Sequence, residues 1–580
     1  MASTPVHWNL YHIYPGIDAW EEDLRRLTDT IAAFSGYVGW TKPSELLAIL
    51  RLEDQASETF GKLFAYAKMN RDIDNKSSEY QALTQRVQAL GTKLSAATSY
   101  VVPSMLKVED GQWETFYEEE PGLTHYRKLI DRVVRKKAHV LDDEQERLLA
   151  RMGDISQTAS NAFSALNNAD ITFEPVGDEK LTQSNYISFL ENKDRETRKQ
   201  AFKNLYSGYD KLKNTIASLY GSHVKKNVFM AETRSYSSAL EASLFVDNVP
   251  MAVYENLIDT VKKHLPSMYR YLDLRKKALG LDELHMYDMH TSLVPESKLE
   301  ISYDEAYDTM LEGLAPLGDE YIQTLQYARE AEWIDVYEKE GKSSGAYNWG
   351  VYGVHPFILL NHKNNLGSMF TLAHEMGHAM HAYRSHKSLP YTYAFYTIFT
   401  AEVASTVNEA LLIRHLLKKT EDKMTKRYLI SHFLDKFRGT MYRQTMFAEF
   451  EKLVHERSAA GEPLTQESMS KLYYELNQTY FGDGVVIDEE IALEWMRIPH
   501  FYRSFYVYKY ATGFAAAIAL SEQILENGNE RYLDFLASGG DDYPLEQLKR
   551  AGVDMSSPEP IEDALRLFGS MVDELASLMD

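Results

Sequence analysis

Residues 366–383 read LGSMFTLAHEMGHAMHAY. Leu366, Met369, Phe370, Ala373, Met376, Gly377, Met380 and Tyr383 recur at steps of three and four, the period of a helix with one apolar face. His374, His378 and His381 fall at steps of four and three on the flank of that face. A helix over 366–383 therefore turns His374 and His378 the same way, one turn apart, as two imidazole ligands of one tetrahedral metal must be. Glu375 sits one position on, close to such a metal but aimed past it, suited to take a proton from a water rather than to ligate. The pattern is H-E-x-x-H, and its chemistry depends on what supplies a third ligand.

A metzincin would need Gly at 381 and His at 384, whereas this chain has His381 and Arg384. The other usual solution is a glutamate from a following helix. FTAEVASTVNEALLIRHLL (399–417) offers one: Ala401, Ala404, Val407 and Leu411 make an apolar stripe, and Glu402 and Glu409 lie two turns apart on a neighbouring face. Glu402 is taken as the third ligand. Glu409 is its rival, although a carboxylate two turns away also suits the other N–H of a ligand histidine. His381 and His386 are assigned to structure rather than to the metal.

Around this segment most of the chain carries helical periodicity, as in SELLAILRL (44–52), and Gly and Pro are sparse at 30 and 17 of 580 residues. A mainly α fold is expected. Two stretches break the period. ADITFEPVGDEKLT (169–182) reads as an extended connector, and SSGAYNWGVYGVHPFILLNH (343–362) as a small sheet just before the helix that starts at 366. The first suggests a seam near residue 180, with an N-terminal helical domain over 1–180 and the metal-bearing domain over 181–580. Cysteine is absent, so thiolate zinc sites, disulfides and cysteine nucleophiles are excluded and any metal must be held by His, Asp and Glu. A formal charge of −23 disfavours nucleic acid and anionic membranes as partners. The N-terminal stretch shows no basic-then-apolar leader, and no apolar run reaches the ~18–20 residues of a membrane span, so a cytoplasmic location is expected.

SGAYNWGVYGVHPFILLN (344–361), FTLAHEMGHAMH (370–381), AEVASTVNE (401–409), RIPHFYRSFYVYKYATGFAAA (497–517) and ETRSYSSALEASLFVDNVP (232–250) together resemble the oligoendopeptidase F family of thimet-oligopeptidase-like zinc metallopeptidases. The resemblance implies one Zn²⁺ per chain on His374, His378 and Glu402, with Glu375 as catalytic base. It further implies a mainly helical ellipsoid split by a deep channel, which admits short unstructured peptides and rejects folded proteins. From HFYRSFYVYKY (500–510) it assigns His500, Tyr510 and Tyr508 to hydrogen-bonding the substrate carbonyl and the tetrahedral oxyanion. Arg503 stands where many relatives have a tyrosine, which leaves the partition among Tyr502, Tyr508 and Tyr510 open.

The expected activity is that of a zinc endopeptidase. A helical zinc carboxypeptidase would share the metal motif but needs a cation for the substrate's terminal carboxylate. A non-catalytic helical peptide-binding protein gives no reason to keep a carboxylate at Glu375.

Overall fold

The structure is a computed structural model that describes residues 6–294 and 300–579. The periodic stretches fold as helices, and the protein is mainly α. Pro43–Ile73 shows why: Leu46, Leu47, Ile49 and Leu50 are buried along it, and Pro43 opens it where a missing N–H costs nothing. Five short strands occur among the described residues: β1 (Leu284–His285), β2 (Ile334–Asp335), β3 (Tyr347–Gly350), β4 (Pro356–Leu359) and β5 (Val485–Val486). No helix among the described residues is long and apolar enough to cross a membrane.

The chain divides into two compact units, the first made of residues 1–138, 299–415 and 520–552, the second of 139–298, 416–519 and 553–580. This differs from a single seam at residue 180. Residues 139–180 belong to the second unit, and 169–182 is a local connector with one bridge between Val176 and Glu179. The reason is visible in the first unit's core. The helices Ile17–Ala33, Pro43–Ile73 and Ser78–Thr98 do not close their apolar faces on one another alone; Val351, Phe357 and Leu359, some three hundred positions later, complete the same cluster.

In the first unit β2 pairs parallel and β3 antiparallel with the central β4, in the order β2-β4-β3. Every residue of β4 is buried. Alternation sends Phe357 and Leu359 into the N-terminal helical core and Ile358 to the opposite face. β3 is an edge strand, with Tyr347 to Gly350 paired on one side only to Leu359 through Pro356. After β4 the chain enters the helix Leu366–Ser388, capped by Asn365, whose side chain accepts from the Ser368 amide at 2.9 Å.

The second unit is helical around Arg195–Asp210, Lys213–Thr233, Met251–Lys263, Arg443–Ala459 and Glu559–Met579, with β1 and β5 forming a two-residue parallel ladder.

Candidate metal centre

The helix Leu366–Ser388 buries Met369, Phe370, Ala373, Met376 and Met380, which fixes its rotation and turns His374 and His378 to one flank, ring centroids 4.8 Å apart at 86°. The helix Ile398–Lys419 crosses it closely. At the crossing stands Gly377, where a Cβ would lie 2.6 Å from the Ala404 carbonyl oxygen and 2.6 Å from Ser405 Cα. Only a residue without a side chain lets the two backbones meet there. Asn408, fully buried, pins the same crossing: its amide donates to the Ala373 carbonyl at 3.0 Å, and its oxygen accepts from the Tyr321 hydroxyl at 3.0 Å.

This crossing carries Glu402 to the histidines. One donor atom each from His374, His378 and Glu402 lies within 4.8 Å of the others, a spacing that could hold a metal ion. His374 Nε2 is 3.5 Å from Glu402 Oε2. The set is two imidazoles and one carboxylate, without thiolate, which suits zinc in a site that keeps a coordination position open. Both rings are oriented from behind. His374 Nδ1 donates to Glu409 Oε1 at 2.6 Å, leaving Nε2 toward Glu402. Burial holds His378 well below the usual histidine range, and it bonds the Ala401 backbone, so it stands as a neutral imidazole able to ligate.

Glu375 is buried, 7% exposed. Desolvation pushes its carboxyl up to about 7; Glu402 and Glu409 add to this, while His374 and a hydrogen bond from the Asn348 amide of β3 work against it. Among the described residues the structure thus brings His374, Glu375, His378, Glu402 and Glu409 together. His381 is elsewhere, stacked on Tyr396 at 3.8 Å and against Phe535 at 5.4 Å, and burial depresses it to about 3. His386 packs on Phe395 and Tyr352.

The aromatic cluster belongs to the second unit and separates into two sets. His500 lies 3.5 Å from the Tyr510 hydroxyl through Nε2, and its ring stacks with Tyr506 at 5.9 Å. Tyr508 is instead fully buried with its ring 5.1 Å from Tyr254, and Tyr502 stacks on Phe163 at 4.2 Å. An enclosed Tyr508 hydroxyl is a poor hydrogen-bond donor to a substrate, whereas Tyr506, which the sequence reading passed over, sits beside His500. Gly377, Asn408 and Asn348 were also missed. Asn408, a polar residue inside an apolar helical run, was the one signal that could have found the crossing.

The sequence profile of Peptidase family M3 matches residues 188–567, and that of Oligopeptidase F matches residues 105–173. The chain is 47% identical to oligopeptidase PepF of Bacillus subtilis (strain 168) over 99% of its own length and 87% of that protein. It is similar to the crystal structure of oligoendopeptidase-F from Enterococcus faecium, with TM-score 0.77 and 38% identity over 97% of this chain and 98% of that one. A crystal structure from Chlamydophila abortus superposes with TM-score 0.90 at 34% identity, covering 99% of this chain and 98% of that one. With matches that run nearly end to end and a two-histidine, one-glutamate centre at their middle, the chain belongs to peptidase family M3, among the oligoendopeptidases F.

Proposed function

We propose that the protein is a zinc-dependent endopeptidase that hydrolyses internal bonds of short, unstructured peptides. The observation that carries the reading is the grouping of His374, His378 and Glu402 donors within 4.8 Å, with the Glu375 carboxyl on the same helical turn. His374, His378 and Glu402 would hold one zinc ion per chain. When bound, zinc supplies Lewis acidity that polarises a scissile carbonyl and brings the pKa of water toward ~7. Glu375 takes the proton from the attacking water and returns it to the leaving amine. The Asn348 amide and the surrounding apolar packing hold that carboxyl in place for both transfers. The free edge of β3 offers a peptide backbone a strand to pair with, a mode that depends little on side-chain identity. His500 and Tyr510 are assigned to hydrogen-bonding the developing oxyanion. The excess of acidic over basic residues favours peptides over nucleic acid or anionic membrane as partners.

The deciding experiment is mass spectrometry of products from peptides blocked at both ends, with and without a chelator. Internal cleavage that the chelator abolishes and added zinc restores is expected. An obligatory free carboxyl terminus would replace this reading by a zinc carboxypeptidase; cleavage indifferent to chelation would remove the metal from it.

A further inference from the structure

The segment ETRSYSSALEASLFVDNVP has no part in the metal chemistry, yet in the second unit it lies against the chain that carries His500 and Tyr510. Ser243, in the helix Ala239–Phe245, donates to the Ser504 carbonyl at 3.3 Å, and Asp247 pairs with Lys509 at 2.6 Å. Both members of that pair are largely shielded, at 13% and 19% side-chain exposure. Two other helices reach the same few residues. From Lys213–Thr233, His223 Nε2 accepts from the Ser504 hydroxyl at 2.9 Å, while the Asn227 amide donates to that hydroxyl oxygen and, at 3.2 Å, to His455 Nε2. From Arg443–Ala459, His455 Nδ1 donates to the Glu451 carbonyl at 2.8 Å, and Glu451 Oε1 accepts from the Phe505 amide at 3.0 Å.

The residue so held is strained. Phe505 has φ of 57°, in the left-handed region that a bulky L-residue rarely adopts, and its ring is buried against His455 and Tyr254. Such a conformation persists only where its surroundings over-determine it. Those surroundings are polar although buried: Glu451 is 0% exposed, and His223 and His455 are 4% exposed each. Simple filling of this space would have used apolar side chains, since burying polar groups costs free energy, and here His223 Nδ1 and Glu451 Oε2 are buried without a hydrogen-bond partner. Burial pushes the Glu451 carboxyl well above the usual carboxylate range and depresses His223 and His455 to about 3 and about 4, so both imidazoles stand neutral, while Asp247 and Lys509 form an ion pair at the edge of the network.

We propose that Glu451, Asn227, His223 and Asp247 form a cradle of positioning residues which fixes the strained Ser504–Phe505 turn, and through it the placement of His500, Tyr506 and Tyr510 for catalysis. The turn is the only stretch between His500 and Tyr510 that departs to positive φ. Its relaxation would rotate Tyr506 and Tyr510 relative to His500, with which they make ring contacts of 5.9 and 6.0 Å. This inference rests on the reading that His500 and Tyr510 stabilise the oxyanion.

The test measures kcat and KM on a blocked internal-cleavage peptide, metal content and circular dichroism, using the full-length zinc-loaded enzyme. His500→Gln and Tyr510→Phe come first: wild-type kcat in both would sink the oxyanion assignment, and the cradle with it. If they are slow, Glu451→Leu is expected to lose on the order of 10- to 100-fold in kcat with little change in KM, because displaced groups act on the transition state. Its metal content should stay at the wild-type level. Glu451→Gln, a neutral isostere that can still accept from the Phe505 amide, should recover most of that rate. The double variant Glu451→Leu/Tyr510→Phe should lose clearly less than the product of the two single losses, since part of the cradle's effect passes through Tyr510. A folded Glu451→Leu enzyme with wild-type kcat would overturn the cradle, as would a loss that multiplies fully with Tyr510→Phe. Should Glu451→Leu not fold, Ser504→Ala and Asp247→Asn carry the same expectations and the same refutations.

Discussion

At the scale of single residues the centre gives three carboxylates, which composition cannot tell apart, three different surroundings. Glu402 faces His374 Nε2, Glu409 bonds His374 Nδ1, and Glu375 is buried beside the Asn348 amide. Glu375→Gln keeps shape and removes the proton acceptor; we expect kcat to fall on the order of 10²- to 10⁴-fold with zinc retained. Glu402→Ala should lose zinc and activity together. Elemental analysis beside the kinetics reads the contrast, and loss of zinc from Glu375→Gln with retention by Glu402→Ala would require the two roles to be exchanged. Glu409→Ala leaves the donor set intact but frees the His374 ring, so zinc affinity should drop by roughly 10- to 100-fold. Competition with a chelator of known affinity checks this, and an unchanged dissociation constant would show that Glu409 does not orient the ligand.

At the scale of elements the site is a crossing of two helices, and Gly377 and Asn408 set its depth. Gly377→Ala removes the close approach: the added carbon would meet Ala404 and Ser405 backbone, which cannot yield as a side-chain tip can. The helices must separate, destabilising the protein by about 1–3 kcal/mol and drawing Glu402 away from the histidines. Lower Tm together with weaker zinc binding is the expected pair of effects; weaker binding at unchanged Tm would place the fault elsewhere. This crossing marks the limit of what periodicity reveals. The steps of three and four in LGSMFTLAHEMGHAMHAY specify a helix, its buried face and the shared direction of His374 and His378, because side-chain direction follows helical geometry alone. The seven-residue separation of Glu402 and Glu409 likewise anticipates one residue at each side of His374. How closely the second helix approaches depends on contacts between segments distant in sequence, and nothing local to Gly377 announces the Ala404 carbonyl. For the same reason HFYRSFYVYKY does not disclose which tyrosines share a wall with His500: a turn at Phe505 with positive φ breaks the helical phase that would have ordered them.

At the scale of the whole chain, the mainly α character was legible and the division into units was not. Compactness groups 1–138 with 299–415 and 520–552, because the N-terminal helices find their closing residues in β4. Burial of titratable groups is likewise distributed over both units and gives the protein a shared pH response. His355, His381 and His386 in the first unit, and His223 and His455 in the second, are buried, and desolvation depresses them to about 4, 3, 4, 3 and 4 respectively. Each has a folded value below the 6.5 of an exposed histidine, so between those values the unfolded chain binds more protons than the folded one. Their stabilising contribution is therefore complete above about pH 6.5 and declines as pH falls toward 4, with a limiting slope of about 1.36 kcal/mol per pH unit for each group. The raised carboxyls of Glu375 and Glu451 act in the opposite sense, gaining protons on folding, and offset part of this slope. Glu53 is raised by burial as well, but His264, His290, His362, His378 and His500 are depressed alongside the five histidines above, so the histidines prevail and the net effect is destabilising on acidification. Urea unfolding of chelator-treated protein should give a lower midpoint at pH 5 than at pH 7 without a change in m-value, and His381→Phe, which keeps an aromatic ring against Tyr396 but cannot titrate, should narrow the gap. Equal midpoints at the two pH values would mean that these histidines are solvated in the folded protein.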